Sequence, residues 1–250
     1  MALIRTSNPA LNARTFADLR RDPTAPPMTL EGTVNKAALL LFLVVVPAAW
    51  VWSQVRAALD PSVAAPWIML GAVGGLVMAI ATVLKKEWSP FTAPVYAALE
   101  GLALGGLSAL LEVKYPGIVM QSVGLTFATL AAMLVAYRTG LIKATEKFKL
   151  GVFAATGAIG LYYLVGWVLS WFHVAMPFLQ GNSTASLVVS GIIVVVAALN
   201  LILDFDFIET GVAGGAPKYM EWYGAFGLMV TLIWLYLEIL RLLTKSRSRR

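Results

Sequence analysis

The sequence has no cysteine and a single histidine, His173, and only 13% of its 250 residues are charged. The lack of cysteine excludes disulfide bonds, thiolate metal sites and a cysteine nucleophile. One histidine excludes a zinc site built from several imidazoles. A soluble domain usually carries about 25% charged residues. This chain therefore has too few charges to cover a surface that faces water.

Apolar residues are abundant instead. Hydrophobic residues make up 59% of the chain, and the mean hydropathy is +0.79. This composition excludes a soluble α/β enzyme, a disordered chain and a fibrous protein, and it indicates that lipid is the outer solvent. The net charge of +6 resides in the tails and in short loops beside apolar runs. That placement argues against a nucleic-acid partner.

Seven apolar runs are each long enough to cross a bilayer, which takes roughly 20 residues of helix. Lipid offers no hydrogen bonds to the backbone, and the runs lack the alternation of a barrel strand, so we expect helices. The predicted fold is an all-α integral membrane protein, a bundle of seven transmembrane helices. The predicted spans are residues 36–55, 67–84, 92–111, 118–137, 150–172, 185–203 and 222–243.

The segments outside the spans define the expected organisation. Residues 1–33 are rich in proline and arginine and are predicted to be a disordered cytosolic tail, with no signal peptide before the first span. The transmembrane domain is predicted at 34–244, followed by a basic tail at 245–250. Twelve basic residues lie on the N-terminal side of the membrane and seven on the other, which predicts a cytoplasmic N-terminus. After seven spans the basic C-terminal tail would lie on the side opposite to the N-terminus. The tail therefore favours the opposite orientation.

No arrangement of serine, histidine and acid typical of a hydrolase is present. Ser183, Ser186 and Ser190 have no base near them in sequence other than His173. We therefore do not expect an enzyme.

Polar residues at membrane depth are the candidate functional residues, because a charge there costs several kcal/mol and is retained for a reason. Asn200 and Asp204 are four apart and share one helix face, which favours a polar cavity or a buried pair around Asp204. Asp206 points elsewhere and is expected to be solvated, as is Glu209. The remaining candidates are Glu100, Glu221, Glu238 and Arg241.

Glu238 and Arg241 are three apart and allow two interpretations. They form a local ion pair at the membrane edge, or Glu238 faces the interior and meets a carboxylate of the sixth helix. Two carboxylates at close range cannot both ionise cheaply, so such a pair shares a proton and senses pH. It can also hold a hard cation such as Ca²⁺ through its oxygens. Asp204 and Glu238 are accordingly the candidate metal ligands.

Three motifs resemble those of the Bax inhibitor-1 family, the transmembrane Bax-inhibitor-motif proteins. Residues 98–105 (ALEGLALG) are similar to its third-helix element, 203–208 (LDFDFI) to its acidic sixth-helix motif, and 236–240 (YLEIL) to its last helix. The proline-containing tail before residue 33 is similar to that of a bacterial branch.

The resemblance implies a seven-helix bundle with a central last helix and a carboxylate pair at Asp204 and Glu238. It also implies a pH-sensitive Ca²⁺ leak in a bacterial inner membrane, with no tightly bound cofactor and Ca²⁺ as a transported or transiently bound ion. In bacterial relatives it implies modulation of a membrane-bound AAA protease. The alternative function is therefore a non-transporting regulator that binds such a protease or another membrane partner through the N-terminal tail. The protein is expected to be a monomer or a small homo-oligomer.

The depths of Asp204 and Glu238 in the membrane restrict whether the two acids can form the proposed pair. If the sixth and seventh helices meet near residues 205 and 222, Glu238 lies 16 residues beyond that end, or about 24 Å away at 1.5 Å per residue. Pairing then requires the sixth helix to continue well past Asp204, or the start of the seventh helix to lie outside the bilayer or to break. Glu221 and Glu100 remain alternative partners for Asp204.

Overall fold

The computed structural model describes residues 26–58, 60–172, 181 and 183–249. Within these residues, seven helices are long and apolar enough to cross a membrane. The predicted all-α seven-helix membrane fold is confirmed. The helices are α1 (Leu30–Ala58), α2 (Ala64–Leu84), α3 (Ser89–Lys114), α4 (Ile118–Arg138), α5 (Glu146–Trp171), α6 (Thr184–Ala213) and α7 (Met220–Arg247).

Most helices extend beyond the predicted spans. Helix α1 begins at Leu30, inside the predicted tail, and α7 continues to Arg247, inside the predicted C-terminal tail. Helix α6 continues nine residues past Asp204 to Ala213. The extension that the carboxylate hypothesis required is therefore present. The rest of the predicted tail, residues 1–25, lies outside the described residues, as does His173.

Side chains cap the starts of two helical segments by accepting hydrogen bonds from backbone N–H groups. Short 3₁₀ turns, Pro61–Val63 and Lys86–Trp88, precede α2 and α3. Asp60 caps the first of these turns, and hydrogen bonds from the Ser62 backbone N–H and hydroxyl hold the pKa of this carboxyl below its usual range. Glu112 accepts hydrogen bonds from the backbone N–H groups of Gly117 (2.6 Å) and Val119 (3.1 Å) at the start of α4.

The chain divides into two compact units. One unit contains α1, α2 and α3 with residues 206–230, which include the end of α6 and the start of α7. The other contains α4 and α5 with most of α6 and α7, residues 120–205 and 231–250.

Glycines bring the helices of the first unit close together, because small residues allow helix backbones to approach each other. A Cβ on Gly71 of α2 would lie 2.6 Å from the backbone nitrogen of Ala103 on α3. Gly101 and Gly105 of α3 face the backbone carbonyls of Val44 and Ala48 on α1. Helix α3 therefore packs against α1 and α2 at distances that only glycine allows.

Candidate functional site

The candidate site is built on the inward face of α6. Asn200 and Asp204 lie one helical turn apart and are both buried, at 7% and 2% exposure. Both side chains are buried, as expected for residues four apart on one inward helix face. Because α6 continues to Ala213, Asp204 lies about 13 Å from the end of the helix at 1.5 Å per residue.

Among the described residues, one carboxyl oxygen of Asp204 has a hydrogen-bond partner and the other has none. Thr231, a buried residue of α7, hydrogen-bonds the carboxyl group. The other oxygen, Oδ2, is buried and has no hydrogen-bond partner among the described residues. A buried polar oxygen without a donor costs about 1–3 kcal/mol. This group is therefore a place where an arriving proton or cation would be stabilised.

Glu238 of α7 is equally buried, at 2% exposure, but its oxygens are engaged. The Tyr163 hydroxyl of α5 donates a hydrogen bond to Glu238 Oε1 at 2.7 Å. Arg241 Nη1 donates to the Tyr163 hydroxyl at 2.6 Å and lies 3.3 Å from Glu238 Oε1. The arginine also lies over the Tyr163 ring, 5.0 Å from its centroid. Glu238 thus forms the local ion pair and also faces the interior.

Asn200 adds a polar group next to Asp204 and contacts α5. We call Asp204, Asn200, Glu238 and the side chains bound to them the polar surface. The Asn200 amide donates to Thr156 Oγ1 at 2.9 Å and to the Val196 carbonyl at 2.8 Å. The amide therefore joins α5 to α6 one turn away from Asp204.

The α6–α7 register sets the distance between the two carboxylates. Thr231 lies opposite Asp204, and Lys245 hydrogen-bonds Ser190, which places two residue pairs in one antiparallel register. Glu238 is seven residues beyond Thr231 along α7, an axial rise of about 10 Å. In the described part of the chain no hydrogen bond joins Asp204 to Glu238. The two acids occupy one polar surface at separate levels, with Asn200 between them.

Glu221, an alternative partner for Asp204, has a different set of contacts. Its carboxylate is fully buried and accepts hydrogen bonds from the Thr29 backbone N–H and hydroxyl, each at 2.8 Å. It forms ion pairs with Lys36 and, at 2.8 Å, with Lys218. Glu221 therefore joins the start of α7 to the start of α1.

The remaining predicted residues, Glu100, Asp206 and Glu209, belong to the other compact unit. Glu100 of α3 is half-buried in the other unit, with its carboxylate over Gly75 of α2. Asp206 is half-buried and Glu209 is exposed, both on the last turns of α6.

Among the described residues, sequence reasoning missed four polar side chains of this region: Thr156, Tyr163, Thr231 and Lys245. Thr231 and Tyr163 lie inside apolar runs and carry no charge to mark them. Lys245 belongs to the predicted basic tail, residues 245–250. In the structure it is buried in the last turn of α7 and donates hydrogen bonds to Ser186 and Ser190 of α6. The spacing of Ser186 and Ser190, four apart on one face, was the available signal.

Metal binding was the other expectation for Asp204 and Glu238. The described residues contain no group of three or more histidine, aspartate and glutamate side chains that could hold a metal ion.

Comparison with known proteins agrees with the sequence motifs. The family described as Bax inhibitor 1 like matches residues 8–248, nearly the whole chain. Neither the curated proteins nor the solved structures include a match to this sequence.

Proposed function

Because the chain belongs to the Bax inhibitor 1 like family, we propose that it is a pH-sensitive cation leak with Asp204 and Glu238 as its gating carboxylates. Ca²⁺ is the proposed cation. The membrane is proposed to be a bacterial inner membrane, with the N-terminus in the cytoplasm.

The observation that carries this proposal is the Asp204 carboxyl group. It is 2% exposed on an apolar helix, and Oδ2 has no donor among the described residues. An acid at such a depth is costly, and acids kept there commonly mark ion or proton pathways. Carboxylate oxygens are also the ligands that Ca²⁺ prefers. Asp204 is thus suited to take up either a proton or a cation.

Further polar groups continue from Asp204 along the same helices. Asn200 lies one turn away from Asp204. The Glu238–Tyr163–Arg241 group lies about 10 Å along α7 from Thr231, the residue opposite Asp204. A cation passing along this surface meets a carboxylate at each of two levels. Protonation of Glu238 would remove its attraction for both the cation and Arg241, so a local charge change alters the packing of α5 against α7.

Flux through the purified protein in liposomes tests the proposal. The wild-type protein should release Ca²⁺ at a rate that depends on pH, and Asp204→Asn and Glu238→Gln should each lower the flux and flatten its pH profile. Glu31→Gln, an equivalent change at an exposed acid of α1, is the matched control and should behave as wild type. Unchanged flux and pH dependence in both site variants would remove the assignment.

The alternative function, regulation of a membrane-bound AAA protease or another membrane protein, also has a structural observation in its favour. The Met28 backbone N–H donates to the Ala216 carbonyl at 2.7 Å, and Thr29 is bound to Glu221. A partner bound to the chain before Pro26 would therefore act next to the start of α7.

Deletion of residues 1–25 separates the two functions. If the protein is a regulator, the deletion should abolish recovery of the protease from solubilised membranes and leave Ca²⁺ flux unchanged. Full retention of the partner by the shortened protein would exclude the tail as its binding segment.

A further inference from the structure

We propose that Glu100 is a proton-binding site of its own, separate from Asp204 and Glu238, and that its bound proton holds α2 against α3. The site belongs to the compact unit that contains these two helices. It does not depend on the proposed leak. Its basis is the place of the Glu100 carboxyl group at the contact between α2 and α3.

Glu100 lies near the middle of a helix that is long enough to span the membrane. It is 11 residues from the start of α3 at Ser89 and 14 from its end at Lys114, or about 17 Å and about 21 Å at 1.5 Å per residue. The hydrocarbon core of a bilayer is about 30 Å thick. Glu100 is therefore placed near the centre of that core, where a charge is costly and an acid usually has a function.

The carboxyl group lies directly against the backbone of α2. A Cβ on Gly75 would be 2.7 Å from Glu100 Oε1 and 3.2 Å from its carboxyl carbon. Gly75 is buried. Gly71, one turn earlier, faces the α3 backbone at Leu99 and Ala103. The two helices thus meet closely around Glu100, and its carboxyl group has room there because α2 carries glycine at that position.

The described residues provide no counter-charge for an ionised Glu100. It forms no hydrogen bond or ion pair with them, and α2 contains no ionisable residue. Tyr96, one turn earlier on α3, is the titratable group that interacts with Glu100 electrostatically. The α7 segment of this unit approaches through Phe226, whose ring packs against Tyr96. The ionisable residues of α1 lie near its two ends and are Glu31, Lys36 and Arg56.

An acid in apolar surroundings without a counter-charge favours its neutral, protonated form. In that form the Glu100 carboxyl group can remain packed against Gly75. Loss of the proton would leave a charge against a stretch of α2 whose backbone groups already bond within the helix. The helices would have to separate until water reached the carboxylate. The proton is therefore part of the α2–α3 contact.

Thermal unfolding in detergent, from about pH 5 to about pH 8, compares wild type with Glu100→Gln. Glutamine has the shape of the protonated acid, so the two proteins should melt together at the acidic end. As the pH rises, the wild-type melting temperature should fall relative to that of the variant. The expected difference is about 3–5 °C for each tenfold difference in proton affinity between the folded and the unfolded chain. Glu87→Gln changes an exposed acid just before α3 and should show no such divergence.

A reaction with dicyclohexylcarbodiimide tests the wild-type protein directly, even if Glu100→Gln does not fold. This apolar reagent enters the bilayer and reacts with neutral carboxyl groups. The acid gives its proton to one nitrogen of the reagent while its oxygen bonds to the central carbon, and the acyl group then moves to the other nitrogen to leave a stable acylurea. Mass spectrometry of protein labelled in liposomes should find this adduct on Glu100, in smaller amount as the pH rises. The exposed Glu87 should remain unmodified.

Melting curves that diverge with rising pH, together with pH-dependent labelling of Glu100, support the proposal. A difference between wild type and Glu100→Gln that is the same at every pH overturns it. Absence of the adduct from Glu100 at about pH 5 overturns it as well. Neither measurement involves ion flux, so failure of the leak leaves this proton site standing, and failure of the proton site leaves the leak standing.

Discussion

Replacing Glu221 with glutamine tests how firmly the start of α1 is fixed to the start of α7. The carboxylate is fully buried and accepts from two groups of Thr29 and from two lysines, Lys36 and Lys218. Glutamine preserves the shape of the side chain but removes its charge. It also replaces one acceptor oxygen with an NH₂ donor that faces other donors.

The expected cost follows from the exposure of the partners. Removing one member of a buried ion pair costs about 3–5 kcal/mol. Solvent screens this contact in part, because the side chains of Lys36 and Lys218 are 19% and 46% exposed. We therefore expect a loss near the lower limit, about 3 kcal/mol. For a chain of this length, that corresponds to a melting temperature lower by about 6–12 °C.

Thermal unfolding in detergent, followed by tryptophan fluorescence, measures this loss. Glu31→Gln changes an exposed acid of α1, near the residues that Glu221 binds, and should shift the melting temperature by less than about 2 °C. Lys36→Met combined with Glu221→Gln should cost less than the sum of the single changes, because the two side chains interact directly. A melting temperature of Glu221→Gln within 1 °C of wild type, or strict additivity, would refute the reasoning.

Two further pairs of variants make the same change in different surroundings. Tyr163→Phe removes a donor to buried Glu238 and should lower stability by about 1–3 kcal/mol. Tyr162→Phe removes a buried hydroxyl that has no partner among the described residues, so it should be neutral or stabilising; equal losses in thermal melting would contradict this assignment. Gly105→Ala would force a Cβ against the α1 backbone and should lower the melting temperature, whereas Gly157→Ala meets open space and should raise stability by about 0.5–1 kcal/mol. A stabilising Gly105→Ala would show that these helices can separate at little cost.

The seven helices could be predicted from the sequence because the apolar runs have the length that a bilayer requires. The common face of Asn200 and Asp204 followed from helix geometry alone. The end of α6 could not be predicted, because Asp204, Asp206 and Glu209 together resemble a helix leaving the membrane. Hydropathy reports polarity and cannot show that Asp204 points inward while Glu209 is exposed.

The partners of the acids were harder to predict than the acids themselves. Tyr163 lies 75 residues from Glu238, and Thr29 lies 192 residues from Glu221. Such contacts depend on which helices are neighbours and at what register, which spacing within one helix does not contain. Lys245 was assigned to a tail because its basic neighbours dominate the local composition.

The Thr29–Glu221 contact has a consequence for biosynthesis. The ribosome synthesises α1 long before it reaches Glu221. Thr29 and Lys36 therefore lack the Glu221 carboxylate as an acceptor until five more helices have been synthesised. Insertion of the last helix is thus the event that fixes the start of the first helix, whereas its middle can already pack against α3. A nascent chain stopped before Glu221 would carry a first helix whose start lacks its buried carboxylate partner, however completely its other segments had inserted.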